Sequence, residues 1–315
     1  MRHVWILGSG GLLGGEMMNI LSGEQGSSLF RESTPLPWLE KSALKEKLNE
    51  AMDAFAKRID KNDTWELHWM AGKSIMSSTR SELEEETNIL SFVLEAIASQ
   101  VTMQATEGTI VFASSAGGVY AGSSDDSISE SSAVSPLTPY GEEKLKQEEQ
   151  IRSFASTHPN ISVLISRLST IYGPKQSQGK KQGLLTHIAR SILRKKPVEI
   201  FVPLDTIRDY IHVRDAAAQM LLALAETRGT KHVVVKIVAS EEPTTIAEII
   251  RIFRHVLRIR PRIITSSDSR RSHYTRRICF RSTVLPEVRM KERTSLLCGI
   301  AEILASERLA MAKGK

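Results

Sequence analysis

With 315 residues, 41% of them hydrophobic and 25% charged, the chain has an ordinary globular composition and enough length to bury a substantial core. No apolar run approaches the roughly 18 residues of a membrane span, and Val4-Trp5-Ile6-Leu7 is too short for an export signal, so a cytoplasmic protein is expected. Cys279 and Cys298, the only cysteines, have no metal-ligand spacing, which points to reduced thiols and no metal site.

The first predicted element is a short buried strand, His3 to Leu7, running into Gly8-Ser9-Gly10-Gly11-Leu12-Leu13-Gly14-Gly15. Glycines 8, 11 and 14 stand between that strand and a predicted helix from Leu12 to Leu21. This arrangement supplies a tight turn, a backbone bare enough for a pyrophosphate, and close helix-on-strand packing, so dinucleotide binding is expected here. Ser28 to Arg31 reads as the second strand. At its end Arg31 with Ser33 suits the 2′-phosphate of NADP and Glu32 suits NAD; both stay open, with the balance towards NADP.

Glu40 to Arg58 has the pattern of an amphipathic helix, and a strand from Trp65 to Met70 leads into Ala71-Gly72-Lys73, where a cofactor could approach the backbone. Ser81 to Ser99 is helical in period, with Asn88 inside it. Thr109 to Ala113 is a β-branched and aromatic strand that ends in Ser114-Ser115-Ala116-Gly117-Gly118, and hydroxyls at such a strand end lie on the ligand-binding edge of a doubly wound sheet. Thr138-Pro139-Tyr140-Gly141-Glu142-Glu143-Lys144 then opens a helix, with Pro139 in the first turn where proline is favoured. Lys144 lies one turn beyond Tyr140 on the same face. A free phenol titrates at about 10, and a fixed ammonium beside it makes it a usable acid and base.

Ile161 to Ser166 is another strand, and the alternation of strands and helices to this point argues for a parallel sheet covered on both faces. After Pro174 the rhythm changes: a lysine-bearing loop, a helix to about Arg194, and a helix from Asp215 to Glu226 with Asp215 as its N-cap. Val233 to Val238 is a strand, Thr245 to Glu248 is a capping box opening a helix to Leu257, and Ser295 to Met311 closes as a helix. Arg251 to Arg293 is dense in arginine and poor in acid, which asks for an anionic partner. Its few aromatics give no base-stacking surface, so nucleic acid is disfavoured.

Gly8-x-x-Gly11-x-x-Gly14, Ser114-Ser115, Tyr140-x-x-x-Lys144, Arg167-Leu168-x-x-x-Tyr172-Gly173-Pro174 and Arg208-Asp209-Tyr210-Ile211-His212-Val213 occur in this order. In order and spacing they resemble the extended short-chain dehydrogenase/reductase family, the nucleotide-sugar epimerases and dehydratases, over nearly the whole chain. The resemblance implies an α/β fold: a Rossmann-type doubly wound parallel sheet in residues 1–174, with 205–240 returning to it, and a smaller substrate-binding lobe from 175–204 and 241–315. It implies an NADP- or NAD-dependent epimerase or 4-ketoreductase acting on a nucleotide sugar, and a homodimer through the helices of 81–99 and 140–155.

By the same resemblance Gly8, Gly11, Leu12, Leu13 and Gly14 hold the pyrophosphate. Ala71, Gly72 and Lys73 border the nicotinamide ribose, Asn88 stands behind the cofactor, and Ser114 belongs to the same site. Tyr140 is the acid/base, Lys144 tunes it and holds the ribose, and Ser115 meets the substrate oxygen. Thr170 and Arg208 face the substrate, and a second diphosphate arginine comes from the C-terminal lobe, with Arg271 the candidate beside Arg270, Arg276 and Arg277. Two departures stand out. Ala116 occupies the position where many members keep a hydroxyl, and Thr170 replaces a common asparagine. They leave open the alternative of a non-catalytic dinucleotide-binding regulatory protein of the same fold.

Overall fold

The computed structural model describes residues 1–72, 74–75, 78–176, 183–265, 275–290 and 292–314. The first half of the chain runs β1 (Arg2–Leu7), α1 (Leu12–Leu21), β2 (Ser27–Phe30), α2 (Lys41–Ala56), β3 (Thr64–Trp69), α3 (Arg80–Ser99), α4 (Val101–Ala105), β4 (Glu107–Ser115), α5 (Ala116–Val119) and α6 (Pro139–Thr157). The second half runs β5 (Ile161–Leu168), β6 (Thr170–Tyr172), α7 (Leu184–Leu193), β7 (Val198–Ile200), β8 (Ile207–His212), α8 (Val213–Thr227), β9 (Val233–Val238), β10 (Pro243–Thr245), α9 (Ile246–Leu257), β11 (Ile263–Thr265) and α10 (Leu296–Ala312).

Six strands pair in the order β2-β1-β3-β4-β5-β9, every neighbour parallel. Because each strand is covered on both sides, its residues alternate between two cores rather than between core and water. Trp5, Leu7, Trp65, Leu67, Trp69, Ile110 and Phe112 meet α2, α3 and α6 on one face. Val4, Ile6, Val111 and Leu164 meet α1 and α8 on the other. The expected doubly wound sheet is therefore present. The chain turns back across the sheet between β1 and β3, and the crevice beyond the carboxyl ends of those two strands is where such sheets take ligands.

Two smaller sheets, β10-β8-β6 and β11-β7, lie outside the main one. A third apolar cluster joins α7, α9 and α10 through Ile188, Ile192, Ile249, Phe253, Ile300 and Ile303. Helix α9 opens with the expected capping box, in which Thr245 and Glu248 satisfy each other's backbone N–H groups.

Asp215 is not the N-cap expected of it. Strand β8 passes into α8 without a loop, so His212 takes the cap, its Nδ1 accepting from the Arg214 N–H at 3.3 Å. Asp215 sits inside the first turn and instead accepts from the Thr294 N–H and hydroxyl at 2.7 and 3.0 Å.

Candidate active site

The glycine turn is built by steric necessity. Gly8 has φ +91°, a conformation that side chains rarely adopt, and a Cβ there would fall 2.6 Å from the Ala71 nitrogen. A Cβ on Gly14 would fall 2.3 Å from the Gly8 carbonyl oxygen. The Gly11 N–H donates to that same carbonyl at 2.9 Å and closes the turn. Strand β1, the start of α1 and the segment after β3 are thus drawn together at the switch point. Helix α1 begins at Leu12 behind Gly11, which carries no side chain to cap it. Its first N–H groups, with the positive end of the helix dipole, therefore point at the crevice. Such a cradle fits a dinucleotide pyrophosphate, and Gly8, Gly11, Leu12, Leu13 and Gly14 are the residues that would hold it.

The second half of the site is carried by α6. Thr138 caps this helix by accepting from the Gly141 N–H at 3.3 Å, with Pro139 in the first turn. Gly141 allows the helix to start against α5, since a Cβ there would meet the Gly118 carbonyl oxygen at 2.3 Å. The Tyr140 ring lies on Gly118: a Cβ at 118 would be 3.1 Å from Tyr140 Cε1 and 3.3 Å from Ser115 Oγ. The phenol ring and the Ser115 hydroxyl therefore flank one spot at the carboxyl end of β4. Ser115 also caps α5, accepting from the Gly118 N–H at 3.1 Å. Ala116 is fully buried in one cluster with Val119 and Tyr120, and the hydroxyl beside the Tyr140 ring at this turn is that of Ser115.

One turn on, Lys144 Nζ stands 5.9 Å from the Tyr140 ring centre and 5.2 Å from that of Phe112. It donates to Gln147 Oε1 at 2.9 Å and to Glu86 Oε1 at 3.1 Å, and Gln147 donates in turn to Thr87 at 3.0 Å. Burial alone would pull the Lys144 ammonium down, but the Glu86 carboxylate beside it, together with Tyr140 and Glu148, offsets this and holds it above the ordinary lysine value. Burial likewise pushes Glu86 up, and Lys144 outweighs it, so Glu86 is held below the usual carboxylate range. Behind this pair, Arg167 clasps Glu148 with two bonds of 2.9 and 2.6 Å and donates to the Tyr120 hydroxyl.

The surroundings of the other expected site residues differ. Asn88 is exposed on α3; Glu86, two positions earlier, is the residue of that helix that meets Lys144. Glu86 follows Leu83 by three residues and precedes Leu90 by four, and that helical stripe was the available signal. The Ser114 hydroxyl donates to Glu148 Oε1 at 2.6 Å within the buried network. Arg31 follows the end of β2 and is exposed, whereas Glu32 accepts from the Trp5 indole at 2.7 Å.

Thr170 opens β6 beside Tyr210, and the half-buried Arg208 lies on β8 two residues from Tyr210, with a bond to the Ile207 carbonyl at 2.7 Å. Ala71 and Gly72 form the segment after β3, where a Gly72 Cβ would approach Glu86 Oε1 to 3.3 Å. Lys73, Arg270 and Arg271 lie outside the described residues.

A doubly wound sheet with a glycine cradle at its switch point and a tyrosine–lysine pair at the carboxyl end of β4 defines an NAD(P)-binding protein of the short-chain dehydrogenase/reductase kind. The model of the NAD dependent epimerase/dehydratase family matches residues 69–237, more than half of the chain, and the chain belongs to that family. Over 132 residues it is 34% identical to the UDP-glucose 4-epimerase of Azospirillum brasilense, covering 38% of this chain and 37% of that protein. Over 115 residues it is 34% identical to the dTDP-4-dehydro-6-deoxyglucose reductase of Escherichia coli, covering 36% of each. The aligned stretches span half or less of the length of the curated relatives. MoeE5 in complex with UDP-glucose and NAD shares the fold, with a TM-score of 0.78 at 22% identity over 98% of this chain and 99% of that one.

Proposed function

We propose that this protein is an NAD(P)-dependent enzyme of nucleotide sugars, a 4-epimerase or a 4-ketoreductase, with Tyr140 as its acid/base. One observation carries the reading: the Tyr140 ring rests on Gly118 beside Ser115, with the buried Lys144 ammonium 5.9 Å from the ring centre. The nicotinamide ring supplies the hydride acceptor and donor when the cofactor is bound.

The chain's own groups do the rest. As phenolate, Tyr140 takes the proton of the sugar hydroxyl while that carbon is oxidised, and as phenol it returns a proton when the carbonyl is reduced. Ser115 donates a hydrogen bond to the same sugar oxygen and fixes its position. Lys144 favours the phenolate by its charge and offers its N–H donors to the cofactor ribose. Arg208 offers a planar fork suited to the substrate diphosphate, with Thr170 on the neighbouring strand, and Arg271 completes that clamp in the same proposal. Ala71, Gly72 and Lys73 border the ribose. A homodimer through α3 and α6 is part of the reading and is checked by sedimentation.

The experiment follows conversion of UDP-glucose with NAD, and oxidation of NADPH by a 4-keto sugar nucleotide, in wild type and Tyr140→Phe. An epimerase converts the first and retains its cofactor through gel filtration; a reductase consumes NADPH with the second. In either case Tyr140→Phe lowers kcat by about 10²- to 10⁴-fold. Cofactor binding with neither conversion across a panel of sugar nucleotides would overturn the proposal.

A further inference from the structure

Glu86 has no role in the scheme above, yet among the described residues it is the carboxylate that bonds Lys144. Its side chain is 11% exposed, and it is held by two segments at once: Lys144 on α6 donates to Oε1 at 3.1 Å, and the Ser74 N–H after β3 donates to Oε2 at 3.2 Å. The charged and titratable groups acting on Lys144 are few. Helix α3 contributes Glu86, and α6 contributes Tyr140 and Glu148. Strand β4 offers only the Phe112 ring, and α5 carries no ionisable side chain. Glu148 is already committed to Arg167, Ser114 and Arg152, so Glu86 is the carboxylate that balances Lys144.

We propose that Glu86 is a positioning residue for proton transfer: it pins the Lys144 ammonium between Phe112 and Tyr140 and offsets part of the charge that reaches the phenol. This rests on the acid/base reading of Tyr140. The physics is a balance of three charges. An ammonium near a phenolate stabilises it, and a carboxylate bonded to that ammonium weakens the effect. The charge that reaches the phenol is thus the balance between Lys144, on its own helix, and Glu86, on α3.

The test measures the Tyr140 phenol directly, so that it does not depend on turnover. Tyrosinate absorbance is titrated in wild type, Glu86→Gln, Glu86→Asn and Glu86→Asp, each paired with the same protein carrying Tyr140→Phe, and the difference isolates Tyr140. Burial holds Tyr120, Tyr172 and Tyr210 above the usual tyrosine value, Tyr210 at about 12, which keeps their titration apart. The neutral variants should move the Tyr140 midpoint down by about one pH unit. Glu86→Asp, which keeps the charge, should stay within about 0.3 unit of wild type.

If the protein turns over a sugar nucleotide, the rising limb of kcat against pH should move with the midpoint. An unmoved midpoint in a folded neutral variant, or equal movement in Asp and Gln, overturns the inference. So does loss of fold in both neutral variants with Asp folded, which assigns Glu86 to stability alone. If wild type turns over no sugar nucleotide while the midpoint still follows the charge at 86, the functional proposal falls and the electrostatic one stands.

Discussion

Single residues set the chemistry here by what surrounds them. Lys144 and Glu86 are both nearly buried, and each would be costly alone; as a hydrogen-bonded pair at 3.1 Å they stay charged inside the molecule. Arg31 is the simplest residue to test. It lies exposed just past β2, while the neighbouring carboxylate of Glu32 is turned to the Trp5 indole. A guanidinium there matches a 2′-phosphate, and an NAD site would want the free carboxylate instead. Arg31→Ala is expected to raise the KM for NADPH about tenfold and to leave that for NADH within about twofold, the loss of one charge-assisted contact. Equal effects on both cofactors, measured by steady-state kinetics, would place the 2′-phosphate elsewhere.

At the scale of elements, α6 gathers the site. A helical period puts Tyr140, Lys144, Gln147 and Glu148 on one side, facing β4 and α3. Its first turn can approach α5 because neither Gly118 nor Gly141 has a side chain. Alanine for glycine inside a helix usually adds about 1 kcal/mol of stability. At 141 the new methyl would stand 2.3 Å from a backbone oxygen, which cannot rotate away. Gly141→Ala is therefore expected to lose about 1–3 kcal/mol in a urea melt. It should also lower kcat by more than the fall in folded fraction, since α6 must lift and carry Tyr140 with it. A melt midpoint equal to or above wild type would show that the two helices separate freely.

The whole molecule responds to acid through buried carboxylates of the main sheet and its helices. Glu66, 1% exposed on β3, is gripped by His68 at 2.9 Å, Arg228 at 2.6 Å and Arg2 at 3.3 Å. Burial pushes its carboxyl up, but the hydrogen bond and charge of His68 with the two guanidiniums outweigh this and bring it down to about 2. Glu148 and Glu86 are lowered too, through Arg167 and Lys144. Because the folded values lie below the unfolded ones, the stability they contribute is full above the ordinary glutamate value of about 4.3 and drains away as pH falls towards 2. Glu66 alone contributes about 3 kcal/mol to that loss. Glu66→Gln should flatten the acid limb of stability against pH, measured by denaturant melts between about pH 2 and pH 6, and a limb of unchanged slope would remove Glu66 from this account.

What the sequence determined by itself was local or periodic. The glycine spacing and the apolar runs of β1, β3, β4 and β5 specified a parallel sheet with a dinucleotide crevice, because backbone sterics and burial act residue by residue. Tyr140 and Lys144 were legible for the same reason, four positions apart on one helix. Only the tertiary structure could bury residue 116 and set the Ser115 hydroxyl beside the Tyr140 ring, since that depends on the turn from β4 into α5. Only it could pair Glu86 with Lys144 across 58 residues and leave Asn88 exposed. A helix's period says which residues share a stripe, but the neighbour that stripe meets is chosen by how α3 and α6 pack, and no spacing within either helix encodes it.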